Sequence, residues 1–245
     1  MSVTDASLPR PFEKRIRQRG RAKTGPVRYG SCFALSMEAR MKRKGMEELL
    51  YQALETEIGG VDVYRMAVLC AKNEDLKEEW KKYGDQTRRH EEVLRQVFET
   101  LGLDPDATTP GRLIVREKGK ALVAAMQKAL KDAPDSAQVV AAECVVDAET
   151  KDHSNWELLG AVADTLSGTE KKALKEAYDE VEDEEDEHLY HTMGWCRELW
   201  LEALGLPAQL PPLEEERDVK SAMGSARAKQ DRKKSLKEGR TQSEA

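Results

Sequence analysis

Several acids and histidines of this chain fall where a helix turns its apolar face inward. The clearest case is the spacing Glu185-x-x-His188, at the centre of a stripe that steps by three and four residues. The stripe consists of Leu174, Tyr178, Val181, Glu185, His188, Thr192, Trp195 and Leu199. A buried carboxylate or imidazole is costly unless it is paired, hydrogen-bonded or bound to a metal ion. These residue types therefore predict ion pairing or metal binding inside a helical protein.

Three other segments with helical periodicity carry the same residue types on their apolar faces. Glu57 lies on the first stripe and His90 on the second, while Glu149 and His153 lie on the third. Counted from the predicted turns, these side chains lie at one depth in two helical hairpins. Carboxylates and imidazoles without thiolates suit iron or manganese, and such ligands on four helices are typical of di-metal bundles. The sequence therefore predicts a site for two iron ions, or for manganese.

The half of this predicted site on the first two helices lacks a bridging acid. The residue three positions before His90 is Thr87, and the neighbouring Gln86 is also neutral. Three nearby acids could supply the carboxylate by turning inward: Glu55, Asp85 and Glu91. A metal-free interpretation also stays open, because Glu149 and His153 are four residues apart and could form a salt bridge on one helix.

Helix signals place these residues on four long helices and a short connector. The predicted helices cover about 46–71, 74–101, 116–131, 137–166 and 170–204. Asn73 is the predicted N-cap of the second helix, and Gly102 its terminating glycine. No strand-like alternation of useful length occurs. The predicted fold is an all-α four-helix bundle, made of two antiparallel hairpins joined by a long connector that contains the short helix.

The charge of the chain is strongly polarised. The net charge of −6 conceals +9 in residues 1–45 and +5 in residues 217–245, which leaves −20 for residues 46–216. Both ends are poor in apolar residues and rich in Gly, Ser, Pro and Gln, a composition typical of disorder. We therefore predict a disordered basic tail at 1–45, a folded domain at 46–207 and a second disordered basic tail at 208–245.

Composition also bears on location and partners. No apolar run approaches the length of a membrane span, and the N-terminus has no apolar signal region, so we expect a cytoplasmic protein. The four cysteines are far apart and predict reduced thiols rather than a zinc ribbon: Cys32, Cys70, Cys144 and Cys196. The basic tails predict either weak contact with nucleic acid through its phosphates or a merely solubilising role.

The segment 86–102 is similar to the second helix of the YciF-like stress proteins, which belong to the ferritin-like superfamily. It reads Gln-Thr-Arg-Arg-His-Glu-Glu-Val-Leu-Arg-Gln-Val-Phe-Glu-Thr-Leu-Gly, where the family typically begins with Glu-Thr. The region around Asp152 and His153 also resembles the family, which has a Glu-His pair there. The resemblance covers roughly residues 46–206.

This resemblance implies a ferritin-like bundle, often a homodimer, with a di-metal site and a role in stress. The family's ligands would then fall at four positions of this chain: Glu57, Asp152, His153 and Glu185. Gln86 departs from the family, since it replaces a carboxylate, while Thr87 is normal for it. Asp152 competes with Glu149 for the ligand role on the third long helix, because the resemblance to the family favours Asp152 and the apolar stripe favours Glu149.

Two functional hypotheses follow. The first is a di-iron or di-manganese protein that oxidises iron or reacts with dioxygen or peroxide. The second is a non-catalytic ferritin-like protein whose buried polar groups satisfy one another, and which acts by binding a partner or nucleic acid. The metal ligands predicted for the first are Glu57, His90, Glu149, Asp152, His153, Glu185 and His188.

Overall fold

The computed structural model describes the backbone of residues 29–213 and the side chains of residues 42–213. These residues form five α-helices and no strand, which confirms the predicted all-α class. The helices are α1 (Tyr29–Cys70), α2 (Glu74–Leu101), α3 (Pro110–Asp132), α4 (Ala137–Thr165) and α5 (Gly168–Ala203). Residues 1–28 and 214–245, which make up most of the two predicted tails, lie outside the described part. All contacts described below lie within the unit that begins at Met41.

The ends of α2 are confirmed, whereas α1 and α3 begin earlier than predicted. The Asn73 side chain accepts hydrogen bonds from two backbone N–H groups of the first turn, and Gly102 ends α2 with φ +67°. Helix α1 begins at Tyr29 rather than near Met46, because the intervening sequence consists largely of good helix formers. Residues 29–45, assigned to the predicted tail, are therefore helical. Helix α3 begins at Pro110, a favourable first helical residue.

Helices α1 and α2 run antiparallel. Tyr51 packs edge-on against Phe98 with ring centroids 5.1 Å apart, and further along α1 Tyr64 packs against Tyr83 at 6.1 Å. Residues closer to the C-terminus of α1 therefore contact residues closer to the N-terminus of α2. The two helices approach closely, since a Cβ on Gly84 would lie 3.1 Å from the Cβ of Tyr64.

Helix α5 runs antiparallel to both α4 and α2. The Trp200 indole N–H donates to Glu143 on α4, whereas near the other end of α5 the Tyr178 ring lies against Gly160. Contacts between α2 and α5 follow the same antiparallel order. It follows that α2 and α4 run in the same direction, so the chain between them must return along the bundle. The segment that contains α3 makes this crossover.

Two apolar clusters fill the interior of the bundle. Each takes residues from α1, α2, α4 and α5. The bulkiest members of the first cluster are Leu50, Leu54, Leu94, Phe98, Trp156, Leu159 and Leu174. Those of the second are Tyr64, Leu76, Trp80, Tyr83 and Met126. Along α1, Glu57 falls between the residues of the first cluster and those of the second, and it marks a polar layer between them.

Helix α3 is attached to α1 by a buried ionic cluster. The guanidinium of Arg112, which is 3% exposed, donates to Glu55 at 2.7 Å, and Arg116 donates to the same carboxylate at 2.6 Å. Helix α3 also passes close to the α1 backbone, because a Cβ on Gly119 would lie 3.8 Å from the Cα of Gly59. Glu55 therefore faces the crossover and not the polar layer.

None of the helices in the described part combines the length and apolar character that crossing a bilayer requires. The side chains of three of the four cysteines are described, and all three are free thiols: Cys70, Cys144 and Cys196. Burial is the main cause that raises the pKa of the Cys144 and Cys196 thiols to about 11. These two thiols are therefore protonated and unreactive at neutral pH.

Candidate metal centre

Six of the seven predicted ligands meet in the polar layer between the two apolar clusters. They come from α1, α2, α4 and α5 and are at most 3% exposed: Glu57, His90, Glu149, Asp152, Glu185 and His188. Both Glu149 and Asp152, which the sequence left as alternatives, belong to this cluster. The four helices thus bring four carboxyl groups and two imidazoles to one buried place.

The Nδ1 atoms of the two imidazoles face these carboxylates. His90 Nδ1 lies 2.8 Å from Glu185 Oε1 and 3.9 Å from Glu57 Oε2. His188 Nδ1 lies 3.6 Å from Glu149 Oε2 and 3.7 Å from Glu185 Oε1. The two rings are stacked, with centroids 5.5 Å apart. Both imidazoles therefore present the same ring nitrogen to one group of oxygen atoms.

The Nε2 atoms of the two imidazoles are held from the outer side. His90 Nε2 lies 2.8 Å from Glu184 Oε2, and His188 Nε2 lies 3.1 Å from Gln86 Oε1. Burial raises the pKa of Glu184, but hydrogen bonds from His90, Arg89 and Gln86 outweigh it and hold that pKa well below its ordinary value. Gln86 thus donates to Glu184 with its amide nitrogen and turns its oxygen to His188.

This outer network determines the tautomers of both rings. Glu184 is an ionised acceptor and Gln86 offers its oxygen, so Nε2 carries the proton in His90 and in His188. Nδ1 then has a lone pair that points at the carboxylates. Histidines that bind metal ions through one nitrogen almost always donate the other N–H to a carboxylate or a carbonyl oxygen. The arrangement of these two histidines has that form.

Most of the inward-facing atoms make no hydrogen bond within the described part of the chain. They are Glu57 Oε2, His90 Nδ1, Glu149 Oε2, Asp152 Oδ1, both carboxylate oxygens of Glu185, and His188 Nδ1. The 2.8 Å approach of His90 to Glu185 is short enough for a hydrogen bond but is not aligned as one. Buried polar atoms without a partner are rare and costly. Lone pairs that converge in this way suit a cation.

The opposite side of the Glu57 carboxylate is hydrogen-bonded. The indole N–H of Trp156 donates to Glu57 Oε1 at 2.7 Å, which leaves Oε2 directed at the cluster. Tyr64 also lies beside the cluster, where burial and the neighbouring Glu149 carboxylate raise the pKa of its hydroxyl well above the ordinary value. Trp156 therefore borders the polar cluster on the side of the first apolar cluster, and Tyr64 borders it on the side of the second.

Crowding of buried carboxyl groups makes their ionised forms unfavourable. Burial, then the charges of Asp152 and Glu185, raises the pKa of Glu57 well above its ordinary value. The pKa of Asp152 is raised in the same way by burial, Glu185 and Glu149. Burial and Glu149 raise the pKa of Glu185 to about 8. Two divalent cations would balance the charge of these four carboxylates and remove the repulsion between them.

The residues present fit a pair of metal ions. The ligand atoms include two groups of three that share Glu185, and within each group the three atoms lie within 4.8 Å of one another. Carboxylate oxygens and imidazole nitrogens without thiolates are suitable ligands for iron and manganese. The single carboxylate common to both groups could bridge two ions. Because it lies on α5, the opposite hairpin would then supply the bridging acid that α2 lacks.

The neutral residues of α2 explain why no acid enters the cluster from that helix. The Thr87 hydroxyl donates to the backbone carbonyl of Tyr83 at 2.9 Å, and its methyl group lies near Gly60 of α1. All three acids considered as replacements pair with arginine side chains instead: Glu55, Asp85 and Glu91. Gln86, which departs from the resemblance, belongs to the outer hydrogen-bond network.

His153 is the one predicted ligand that lies outside the cluster. Its side chain is 14% exposed, and Nε2 lies 2.8 Å from Asp186 Oδ1 on α5. This contact replaces the proposed metal-free salt bridge between His153 and Glu149. The sequence placed three of the four histidines on core faces and left out His191, which the structure buries at 3% exposure. His191 adjoins Thr192, so the buried face of α5 is wider than the predicted stripe.

His191 belongs to a second buried polar network that the sequence analysis missed. The Tyr83 hydroxyl donates to Glu79 at 2.6 Å, His191 Nδ1 lies 2.9 Å from the same oxygen, and the Trp195 indole donates to Glu79 at 2.8 Å. The Tyr83 ring lies 4.4 Å from the His188 ring, so this network borders the cluster of candidate ligands. The sequence contains a signal for this network: Glu79 and Tyr83 are four residues apart, and so are His191 and Trp195.

Three comparisons of the chain, with protein-family models, with curated proteins and with solved structures, found no match. The residues and their geometry are therefore the basis for assigning a function.

Proposed function

We propose that this chain is a ferritin-like protein that binds two divalent metal ions, iron or manganese, in the buried cluster. One observation carries the proposal: the inner atoms of the cluster lack hydrogen-bond partners in the described residues, while the outer atoms of Glu57, His90 and His188 are bonded. A network that existed only for stability would satisfy its inner atoms as well. The cluster instead has the inner and outer layers of a metal site.

The order and direction of the helices support the ferritin-like part of the proposal. Helices α1 and α2 form one hairpin, α4 and α5 form the other, and the crossover through α3 connects them. Bundles with one long crossover include the ferritin-like folds, whose metal ligands project inward from all four helices. The ligands here also come from all four helices. This connectivity is therefore consistent with the resemblance in sequence.

The proposed chemistry is redox chemistry with dioxygen or peroxide, in a protein that acts under stress. Bound iron or manganese would supply the electrons for that chemistry. The residues of the chain hold and shield the site: Glu184 and Gln86 fix the two imidazoles, and the apolar clusters above and below exclude water. Oxidation of iron and removal of peroxide are the two reactions that fit this arrangement.

The second hypothesis, a non-catalytic protein acting through its tails, has no comparable support. The tails lie largely outside the described residues, and the unpartnered inner atoms argue against a cluster that merely satisfies itself. Homodimer formation, cytoplasmic location and contact with nucleic acid also stay predictions. Sedimentation of the full chain and a filter-binding assay at several salt concentrations would test the first and the last of them.

Metal quantification tests the proposal directly. The full chain is stripped with a chelator, loaded with Fe²⁺ without oxygen or with Mn²⁺, freed of loose metal and analysed by mass spectrometry of the metal content. We expect about two ions per chain for an asymmetric pair of positions sharing one carboxylate. Glu185→Gln should lose at least one of them because it removes that shared ligand.

Glu187→Gln is the matched control for Glu185→Gln. It changes another buried glutamate of α5, but this carboxylate accepts from Lys82 at 2.7 Å and lies outside the cluster. We expect this variant to bind as much metal as the wild type. Failure of both metals to bind the wild type under any loading condition would end the proposal.

A redox measurement tests the proposed chemistry separately. Protein loaded with Fe²⁺ is mixed with limiting peroxide or with dioxygen, and iron oxidation is followed by absorbance. We expect faster oxidation of iron than in Glu185→Gln or in buffer. Metal binding with no such acceleration by either oxidant would restrict the function to metal binding.

A further inference from the structure

The possible ligand atoms are distributed unevenly between two positions. The first, which we call the histidine position, consists of His90, His188 and Glu185. The second, which we call the carboxylate position, consists of Glu57, Asp152 and Glu185. In each, the three ligand atoms lie within 4.8 Å of one another. Both imidazoles thus belong to one position, and the other contains oxygen ligands alone.

The distances support this division. His90 Nδ1 is closer to Glu185 Oε1, at 2.8 Å, than to Glu57 Oε2, at 3.9 Å. His188 Nδ1 lies 3.7 Å from the same Glu185 oxygen. It also lies 3.6 Å from an oxygen of Glu149, so this carboxylate adds to the histidine position. Both imidazoles therefore converge on one end of the cluster.

The two positions differ in ligand chemistry. Imidazole suits ions such as Fe²⁺ and Zn²⁺, whereas sites made of carboxylates alone suit Mn²⁺ and Mg²⁺. We propose that the cluster is a mixed-metal site: the histidine position takes an imidazole-preferring ion, and the carboxylate position takes Mn²⁺ or Mg²⁺. This inference rests on the proposed function. It goes beyond that proposal because it assigns different ions to the two positions of one cluster, with Glu185 as the shared ligand.

The outer network supports the same assignment. Glu184 and Gln86 both bind Nε2 atoms, so the tautomers of His90 and His188 are fixed with Nδ1 inward at the histidine position. At the carboxylate position the corresponding support is the Trp156 indole, which donates to Glu57 and leaves one oxygen of that carboxylate for an ion. Each position therefore has its own preorganised ligands.

A loading experiment on the full chain tests the assignment. Metal-stripped protein receives one equivalent of Zn²⁺, which prefers imidazole and is diamagnetic, followed by excess Mn²⁺. After removal of loose metal, we expect one zinc and one manganese ion per chain. Pulsed electron paramagnetic resonance of the bound Mn²⁺ should show no coupling to imidazole nitrogen. Protein loaded with Mn²⁺ alone is the positive control, because manganese then also occupies the histidine position and shows the coupling.

Two variants give an independent measurement. Asp152→Asn should weaken Mn²⁺ binding about tenfold or more in the mixed protein and change Zn²⁺ binding much less. His188→Ala should do the reverse. Circular dichroism of each metal-stripped variant shows whether the helices are retained, and the nitrogen coupling in the wild type decides the question without either variant.

The outcomes separate this inference from the proposed function. Imidazole coupling on Mn²⁺ in the mixed protein, or equal weakening of both ions by both variants, would overturn the mixed-metal assignment and leave the di-metal proposal standing. Absence of binding by either ion would overturn both. One zinc with one uncoupled manganese would support both.

Discussion

The two nitrogens of each buried imidazole have different partners. On His90 and His188, Nε2 is held by Glu184 or Gln86, while Nδ1 faces the carboxylate cluster. The outer partners decide which nitrogen has a free lone pair, and so they decide whether the ring can bind a cation. Gln86 therefore matters to the site although it lies outside the inner cluster.

Loss of the Gln86 side-chain amide should weaken metal binding. In Gln86→Leu the His188 N–H has no acceptor and Glu184 loses a donor, so the rings are less well oriented. We expect a loss of affinity of about 10- to 100-fold, measured by competition with a chelating dye. Gln86→Glu keeps an acceptor for His188 and should lose less. Gln96→Leu, an exposed position on the same helix, should bind as the wild type does.

The raised pKa values predict how the stability of the metal-stripped protein depends on pH. Burial and Glu149 raise the pKa of Glu185 from 4.5 to about 8, so between these values the folded state holds more protons than the unfolded state. Proton binding by Glu185 therefore adds to the free energy of unfolding. This contribution is fully present below the pKa of the unfolded state and is lost as the pH rises towards the pKa of the folded state. The raised pKa values of Glu57 and Asp152 act in the same direction.

Urea titrations of the metal-stripped chain at about pH 5, 6.5 and 8 measure this effect. We expect the free energy of unfolding to fall across the series, and to fall less in Glu185→Gln, whose amide does not titrate. Stability that rises equally with pH in both proteins would contradict the prediction. Bound metal should reverse the trend, because cations compete with protons for the carboxylates.

At the scale of the helices, close packing between α4 and α5 depends on a glycine. A Cβ on Gly160 would lie 2.7 Å from a ring carbon of Tyr178, so Gly160→Ala must displace the ring. We expect a loss of about 1–3 kcal/mol in the free energy of unfolding, from urea titration. Gly45→Ala is the control: its Cβ would meet nothing within 4 Å, and alanine there should stabilise α1 by about 0.5–1 kcal/mol.

The sequence predicted the helices better than it predicted their ends and their neighbours. Periodicity was sufficient to find the helices and the inward faces of Glu57, His90, Glu185 and His188, because a stripe of one helix needs no knowledge of the others. It placed His153 on the core face and left out His191, because both lie at the edges of the buried faces of their helices. Edge positions are buried or exposed according to the packing of the neighbouring helix.

Pairing between helices was also beyond the sequence. Gln86 was noted as a neutral substitute for an acid, whereas its hydrogen bonds to His188 and Glu184 depend on how α2 and α5 are aligned. Glu55 was considered for the site, but Arg112 and Arg116 of α3 bind it away from the polar layer. The partner of a polar side chain depends on tertiary structure, which spacing along one helix does not contain.

At the scale of the whole molecule, the polar layer separates the two apolar clusters and costs stability unless a cation is bound. Metal should therefore stabilise the entire bundle. A ligand present at about 100 times its dissociation constant raises the free energy of unfolding by about 2.7 kcal/mol. We expect thermal unfolding of the full chain to shift upward with Mn²⁺ and to return to its starting value with a chelator. Glu185→Gln should shift less.

The crossover has a consequence for how the chain could be divided. Among the described residues it is the only covalent connection between the α1–α2 hairpin, which contributes Glu57 and His90, and the α4–α5 hairpin, which contributes Glu149, Asp152, Glu185 and His188. If the loop between α2 and α3 were cut, the hairpins would have to find each other as two molecules. A metal ion shared between them would then add to the apolar packing that holds the hairpins together, so the amount of reassembled protein would rise with the metal concentration.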